Sequence, residues 1–365
     1  MQYGGMRTLR AYRPGRTVAD IAAQRGLEHA VKLSSNESAF GPLPAVLQAI
    51  DAACRDIARY PDPTCRDLRA KLAAQIGVSI GSIFVGPGSA AVLTQLSLAA
   101  LESGDRVLVP WPSFELYPIL ADLAGAGFVP VPLVNHTCDL IAIDTTGNVR
   151  MIIVANPNNP TSTVIPIGEI EALLNRTHPS TLVVIDEAYA DFSVVRPESG
   201  LPQLVDRYPN LVVLRTFSKL HGLASLRIGY CVASPMVIEL MNRVPPPFAV
   251  NGLALAAASA SLDEAPELDR RRRATAVERD RLVAESRSLG WPVPDAGGNF
   301  VWLPCSDPMA LSERLERLGI IVRALDGGLR VTVGTPEEND AFLTALTAIT
   351  TIVRTEGGES TCLNP

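Results

Sequence analysis

The 365-residue sequence is poor in the features that mark several protein classes. Its six cysteines (Cys54, Cys65, Cys138, Cys231, Cys305 and Cys362) form no CxxC pair, and its four histidines are dispersed. That scatter argues against a disulfide framework or a zinc site, and no metal is expected. No apolar run approaches the roughly 20 residues that span a bilayer, and the opening stretch MQYGGMRTLR lacks the apolar core of a signal peptide. A cytoplasmic location without a membrane partner is therefore expected. A formal net charge of -6 argues against nucleic acid as the main partner, because phosphate binding needs a concentrated basic surface. The one basic run, Arg270 to Arg273, sits among acids in a helix-favouring stretch and reads as a solvated helix face.

What is present points to a globular α/β chain. Hydrophobic residues make up 47%, and the length exceeds what one ordinary core needs, so a large and a small domain with a cleft between them are expected. Short β-branched runs recur: SIFVG, RVLVP, FVPVPL, MIIVAN, TLVVIDE, LVVLRTF and IGYCVA. Between most of them lie helical segments such as AAVLTQLSLAALESG and IGEIEALLNRT, the alternation of a mostly parallel sheet covered on both faces. Beyond about residue 255 a long charged helix precedes the strands NFVWLP, GIIVRAL and LRVTVG and a last helix, PEENDAFLTALTAI. The expected layout is an N-terminal arm (1–40), a large domain (41–255), a small α+β domain (256–354) and a disordered tail (355–365).

Four of the runs end in polar or reactive groups, and ligands of such sheets sit at strand C-terminal ends. The turn VGPGSAAVLTQL offers backbone amides near Gly88, Ser89 and Ala90 that can hold a phosphate, although such a turn also serves as a plain connection. In MIIVANPNNPTS, prolines stiffen a loop carrying Asn156, Asn158 and Asn159. TLVVIDEAYADF delivers Asp186 to the end of an apolar strand, where a carboxylate needs a cationic partner, either a protein cation or a protonated pyridine nitrogen. LVVLRTFSKLHGLASLRIGY places Lys219 just past a buried strand, with Arg227 beyond it. A lysine near cations or in an apolar setting loses its proton readily, as imine chemistry requires.

With AYRPGR, KLSSNESAFGPLP, RYPD, PSFELY, GGNFVWL, GIIVR and LRVTVGTPEEND added in order, the chain resembles the fold-type I pyridoxal-phosphate aminotransferases. The likeness is to the histidinol-phosphate and aromatic amino acid aminotransferase group, from about Tyr12 to about residue 347. It implies a large domain with a mostly parallel seven-stranded sheet, a smaller α+β domain, and pyridoxal 5'-phosphate as cofactor. It also implies a homodimer that moves an amino group from an aromatic amino acid or histidinol phosphate to a 2-oxo acid such as 2-oxoglutarate. By the resemblance, Lys219 holds the cofactor and shuttles a proton, and Asp186 pairs with the ring nitrogen. Asn159 and Tyr189 bond the ring hydroxyl, and Phe114 stacks on the ring. Gly88, Ser89, Ala90, Ser218 and Arg227 meet the phosphate, with Tyr60 reaching it from a second subunit. Tyr12, Asn36, Arg323 and Arg330 surround the substrate.

Three departures from that pattern are visible. Ala90 and Ala91 stand where an acidic pair is common, Ser162 where glycine is usual, and Leu220 and His221 follow the lysine. His221 is expected to point away from the cofactor. SFELYP and NFVWLP favour an aromatic donor, whereas Arg323 and Arg330 suit histidinol phosphate equally. Two rival readings are a decarboxylase of a phosphorylated amino acid and, from another class, the ligand-sensing part of a transcription regulator. For the regulator the N-terminal arm is expected to be too short.

Overall fold

A computed structural model describes residues 10–11, 30–193 and 200–355. Tyr12, most of the expected arm and all of the expected tail beyond Thr355 lie outside the described residues. β1 (Val31–Lys32) comes first, and the seven β-branched runs then become β2 (Ile83–Gly86), β3 (Arg106–Trp111), β4 (Gly127–Pro132), β5 (Val149–Ala155), β6 (Leu182–Asp186), β7 (Leu211–Thr216) and β8 (Gly229–Ala233). They form one sheet in the order β2-β8-β7-β6-β5-β3-β4. Only β8 runs against its neighbours, β2 and β7. The other six point the same way, so their C-terminal ends share one rim.

Apart from the edge strand β4, none of whose residues is fully buried, the runs make strands because both of their faces are buried. Along β6, Val183 and Ile185 enter one apolar core while Leu182 and Val184 enter another, and β7 divides Leu211 and Val213 from Val212 and Leu214 in the same way. Period-two alternation across a sheet covered on both sides produces this split. A third core gathers around β9 (Phe300–Pro304), β10 (Ile320–Ile321), β11 (Arg323–Leu325) and β12 (Gly328–Thr332). Here β11, β12 and β9 form an antiparallel sheet, while β10 pairs with β1 in parallel. The run GIIVRAL, expected as one strand, is therefore divided at Val322, because its two halves hydrogen-bond to different partners.

The helix Ala265–Ser288 carries the basic run, and the reading of that run as a solvated face needs correction. Arg270 and Arg273 are exposed, but Arg271 is buried. Its Nε donates to Glu267 Oε1 at 3.0 Å and its guanidinium lies over the Phe40 ring at 5.4 Å. A carboxylate one turn back and an aromatic face offset the cost of burying this charge. Among the described residues no helix is long and apolar enough to cross a membrane.

Candidate functional site

A cavity of about 270 Å³ opens where the shared rim of the large sheet faces β11 and β12. Size alone does not single it out. A cavity of about 450 Å³ lies at Glu187 and Arg215, but these two neutralise each other at 2.7 Å. The smaller cavity instead collects Asp186, Lys219, Arg227, Arg323 and Arg330.

Lys219 follows β7 through a tight turn in which Gly222 N donates to the Lys219 carbonyl at 3.0 Å. Its Nζ donates to the carbonyls of Ser35 at 3.2 Å and Asn36 at 3.0 Å and sits 5.5 Å from the Tyr189 ring centre. Burial, helped by the Arg330 and Arg227 charges, brings its pKa down to about 7. Asp186 ends β6. Tyr117 donates to its Oδ2 at 2.9 Å, and the Ala188 amide donates to its Oδ1 at 3.0 Å. Burial pushes the Asp186 carboxyl above the usual range, while those two hydrogen bonds to its ionised form pull the other way. The same burial raises the Tyr117 and Tyr189 phenols, so both remain hydroxyls.

One corner of the cavity is built largely by backbone. Gly88 has φ +94° and ends the turn before the helix Ser89–Ala100. A side chain there would collide with the Arg227 guanidinium, and one at Gly229 would press against Ser89 N. The amides of the first turn have no acceptor within the helix and present its positive end to the cavity at Ser89 and Ala90. Arg227, itself left-handed at φ +54°, donates through Nη1 to Ser218 Oγ at 3.3 Å. Donors therefore gather here without the acidic pair, in keeping with Ala90 and Ala91 at those positions.

The three loop asparagines part company. Asn156 closes the loop on itself, donating to the Ile165 carbonyl and accepting from the Ile165 amide, each at 2.9 Å. Asn158 is spent on Ser113, Pro112 and Thr161. Only Asn159 reaches the cavity, where its Oδ1 accepts from Arg330 Nη1 at 2.7 Å. Ser162 adopts φ +63°, the conformation that glycine usually supplies, and its Oγ accepts from Gly298 N at 3.0 Å. That hydrogen bond helps offset the backbone strain.

Arg330 projects from β12 beneath Phe300 and also donates through Nη2 to the Ser34 carbonyl at 2.7 Å. Arg323, its register partner on β11, is paired with Glu115 at 2.7 Å. Asn36 donates to Tyr189 Oη at 3.1 Å and exchanges hydrogen bonds with Thr332, linking the segment after β1 to both sheets. Phe114 lines the cavity, edge-on to Tyr117 at 5.7 Å. Tyr60 is outside the lining, 82% exposed and stacked on Phe248 at 4.4 Å. His221 bonds Ser261 Oγ at 3.0 Å against Phe217 and is likewise outside it; burial holds its pKa below the ordinary range. Sequence reasoning named neither Tyr117 nor Glu115, although both stand in PSFELY. The signal available was their spacing from Phe114, with Glu115 one place and Tyr117 three places after it at the start of the helix Leu116–Ala124. Among the described residues no group of His, Cys, Asp and Glu could hold a metal ion.

Comparison with known proteins bears on the same residues. The family described as aminotransferase class I and II matches residues 28–346. An aromatic amino acid aminotransferase of Thermobifida fusca is 45% identical over 91% of this chain and 92% of its own length. One of Mycobacterium tuberculosis is 44% identical over 92% and 94%. Among solved structures, a histidinol-phosphate aminotransferase of Sinorhizobium meliloti in complex with pyridoxal-5'-phosphate superposes with a TM-score of 0.85. It is 27% identical and covers 93% of this chain and 96% of its own.

Proposed function

Since the chain belongs to the aminotransferase class I and II family, we propose that it is charged with pyridoxal phosphate at Lys219 and takes its amino group from an aromatic amino acid. A 2-oxo acid such as 2-oxoglutarate receives that group. The observation that carries the reading is one cavity with three distinct stations: a buried carboxylate, a lysine of depressed pKa, and a corner of converging donors.

The residues present fit the cofactor. Asp186, raised by burial, is a carboxylate in want of a cation, which a protonated ring nitrogen is. Ser218, Arg227 and the amides at Ser89 and Ala90 offer donors to a phosphate, and the bare Cα of Gly88 leaves Arg227 room to approach. Phe114 supplies an aromatic face, and Asn159 and Tyr189 supply polar groups for a ring hydroxyl. When bound, pyridoxal phosphate supplies an electron sink for the electrons left at the donor's α-carbon.

The protein's own groups do the rest. Lys219 Nζ can take up and return a proton near neutral pH, because its pKa lies there. Arg330, held by the Asn159 amide and the Ser34 carbonyl, directs its planar donors at the α-carboxylate. Tyr117 holds Asp186 in place. Exposed Tyr60 and Phe248 fit a homodimer in which Tyr60 completes a second copy's phosphate corner. The large domain (41–255), the small domain (256–354) and a cytoplasmic location belong to the same reading.

Histidinol phosphate is the second reading, favoured by the opposed arginines Arg323 and Arg330. The test offers the loaded enzyme phenylalanine, tyrosine, tryptophan, histidinol phosphate and aspartate one at a time. The rate at which each converts the lysine-bound cofactor to its amine form is followed by absorbance. Fastest conversion by an aromatic amino acid is expected; fastest conversion by histidinol phosphate would replace the first reading with the second.

A further inference from the structure

The two arginines facing the substrate end of the cavity are held in different ways. Arg330 is held by two neutral oxygens, those of the Asn159 amide and the Ser34 carbonyl. Arg323, opposite it in the β11–β12 register, has its Nη2 2.7 Å from a carboxylate oxygen of Glu115. Glu115 stands between Phe114 and Leu116, both of which line the cavity, so the ion pair forms part of the cavity's rim. Its partners are only 16% exposed for Arg323 and 35% for Glu115, which shields the pair from solvent on most sides.

A donor with one anion can place it on Arg330 and leave this pair intact. A donor with a second anion, whether a phosphate or a side-chain carboxylate, must draw Arg323 away from Glu115 and then lie beside the carboxylate it has displaced. Both steps act against it, and the second is a like-charge repulsion in a partly desolvated place. The neighbouring Phe114 and Leu116 meanwhile present apolar surface suited to a neutral side chain.

We propose that Glu115 is a specificity-determining residue: by holding Arg323 it selects donors whose only anion is the α-carboxylate and disfavours those with a second anionic group. The proposal rests on the aminotransferase reading above and adds the chemistry by which the site separates donors with one anionic group from those with two.

The test compares wild type, Glu115→Gln, Glu115→Asp and the double variant Glu115→Gln/Arg323→Gln, each loaded with pyridoxal phosphate. Calorimetry measures the binding of two unreactive probes, 3-phenylpropionate with one carboxylate and glutarate with two. Glu115→Gln should improve glutarate binding relative to 3-phenylpropionate by about tenfold or more, the size of effect expected for one charged contact. The ratio of kcat/KM for aspartate to that for phenylalanine should move the same way. Glu115→Asp should retain most of the wild-type preference, and the double variant should lose the gain. An unchanged probe ratio in Glu115→Gln, or an equal gain in the double variant, overturns the proposal. Failure of the aromatic reading looks different: wild type would not transaminate phenylalanine, while the glutarate comparison would still decide the role of Glu115.

Discussion

The depressed pKa of Lys219 makes a quantitative statement about how the cofactor is captured. Only the neutral amine attacks an aldehyde, so the capture rate follows the deprotonated fraction. With a pKa of about 7, roughly half of Lys219 is neutral at pH 7, against roughly 4 in 10,000 for an ordinary lysine. Between pH 6 and 8 the neutral fraction of Lys219 rises ~10-fold and then levels off, whereas an ordinary lysine gains ~100-fold and then a further ~70-fold up to pH 10. The assay mixes cofactor-free protein with pyridoxal phosphate, quenches with borohydride at timed intervals and maps the adduct. The sequence has two other lysines, Lys32 and Lys71, each paired with a carboxylate; their adducts in the same digest correct for the reagent's own pH dependence. A plateau above about pH 8 at Lys219 is expected. A rate that keeps climbing tenfold per pH unit from 8 to 10 would refute the argument, as would an adduct found mainly elsewhere. The same shift bears on stability. Between about pH 7 and 10.5 the unfolded chain binds more protons at this residue than the folded one, so the cofactor-free protein should gain stability as pH rises through that window.

Substitutions at two residues probe the groups around Lys219. Arg330→Gln should weaken both half-reactions, by roughly 2 to 5 kcal/mol if the arginine–carboxylate contact is well desolvated, and Arg330→Lys should restore little because a point charge lacks the planar fork. It should also move the Lys219 plateau to higher pH, since a neighbouring cation has been removed; normal kcat/KM values for donor and acceptor would make Arg330 structural. Tyr117→Phe deletes a hydrogen bond to the ionised form of Asp186, so the carboxyl should protonate more readily and the acid limb of the activity profile should move to higher pH. A profile superimposable on that of wild type would mean that Tyr117 only fills space.

The readable and unreadable parts of this molecule divide by the range of the interactions that set them. Six of the seven strands are legible because burial on both faces demands continuous β-branched runs, a property of a few adjacent residues; the edge strand β4 is only partly buried and shows its β-branched character in FVPVPL alone. The rim of the site follows almost as directly: when strands run parallel, whatever stands just past each run, Asp186 after β6 or Ser218 and Lys219 after β7, lands on one edge. What cannot be read is which partner a side chain finds across hundreds of residues. Asn156, Asn158 and Asn159 look alike in sequence, yet only Asn159 lies within reach of an arginine 171 positions away. Arg330 reaches back 296 positions to the Ser34 carbonyl, and that carbonyl is positioned by the pairing of β1 with β10, the same pairing that divides GIIVRAL. Arg271 departs from expectation for a related reason, since its charge pattern is that of a surface helix and the Phe40 ring that, with Glu267, offsets its burial is supplied from outside that helix. Glu115 is the instructive case for function. In sequence it is one acid in an apolar stretch, and its meaning comes wholly from Arg323, 208 positions on. Two chains could therefore share every cofactor motif discussed here and still differ in donor at this one ion pair. The motifs that make the family recognisable surround the reacting centre, whereas selection between donors is settled by contacts made at the other end of the cavity.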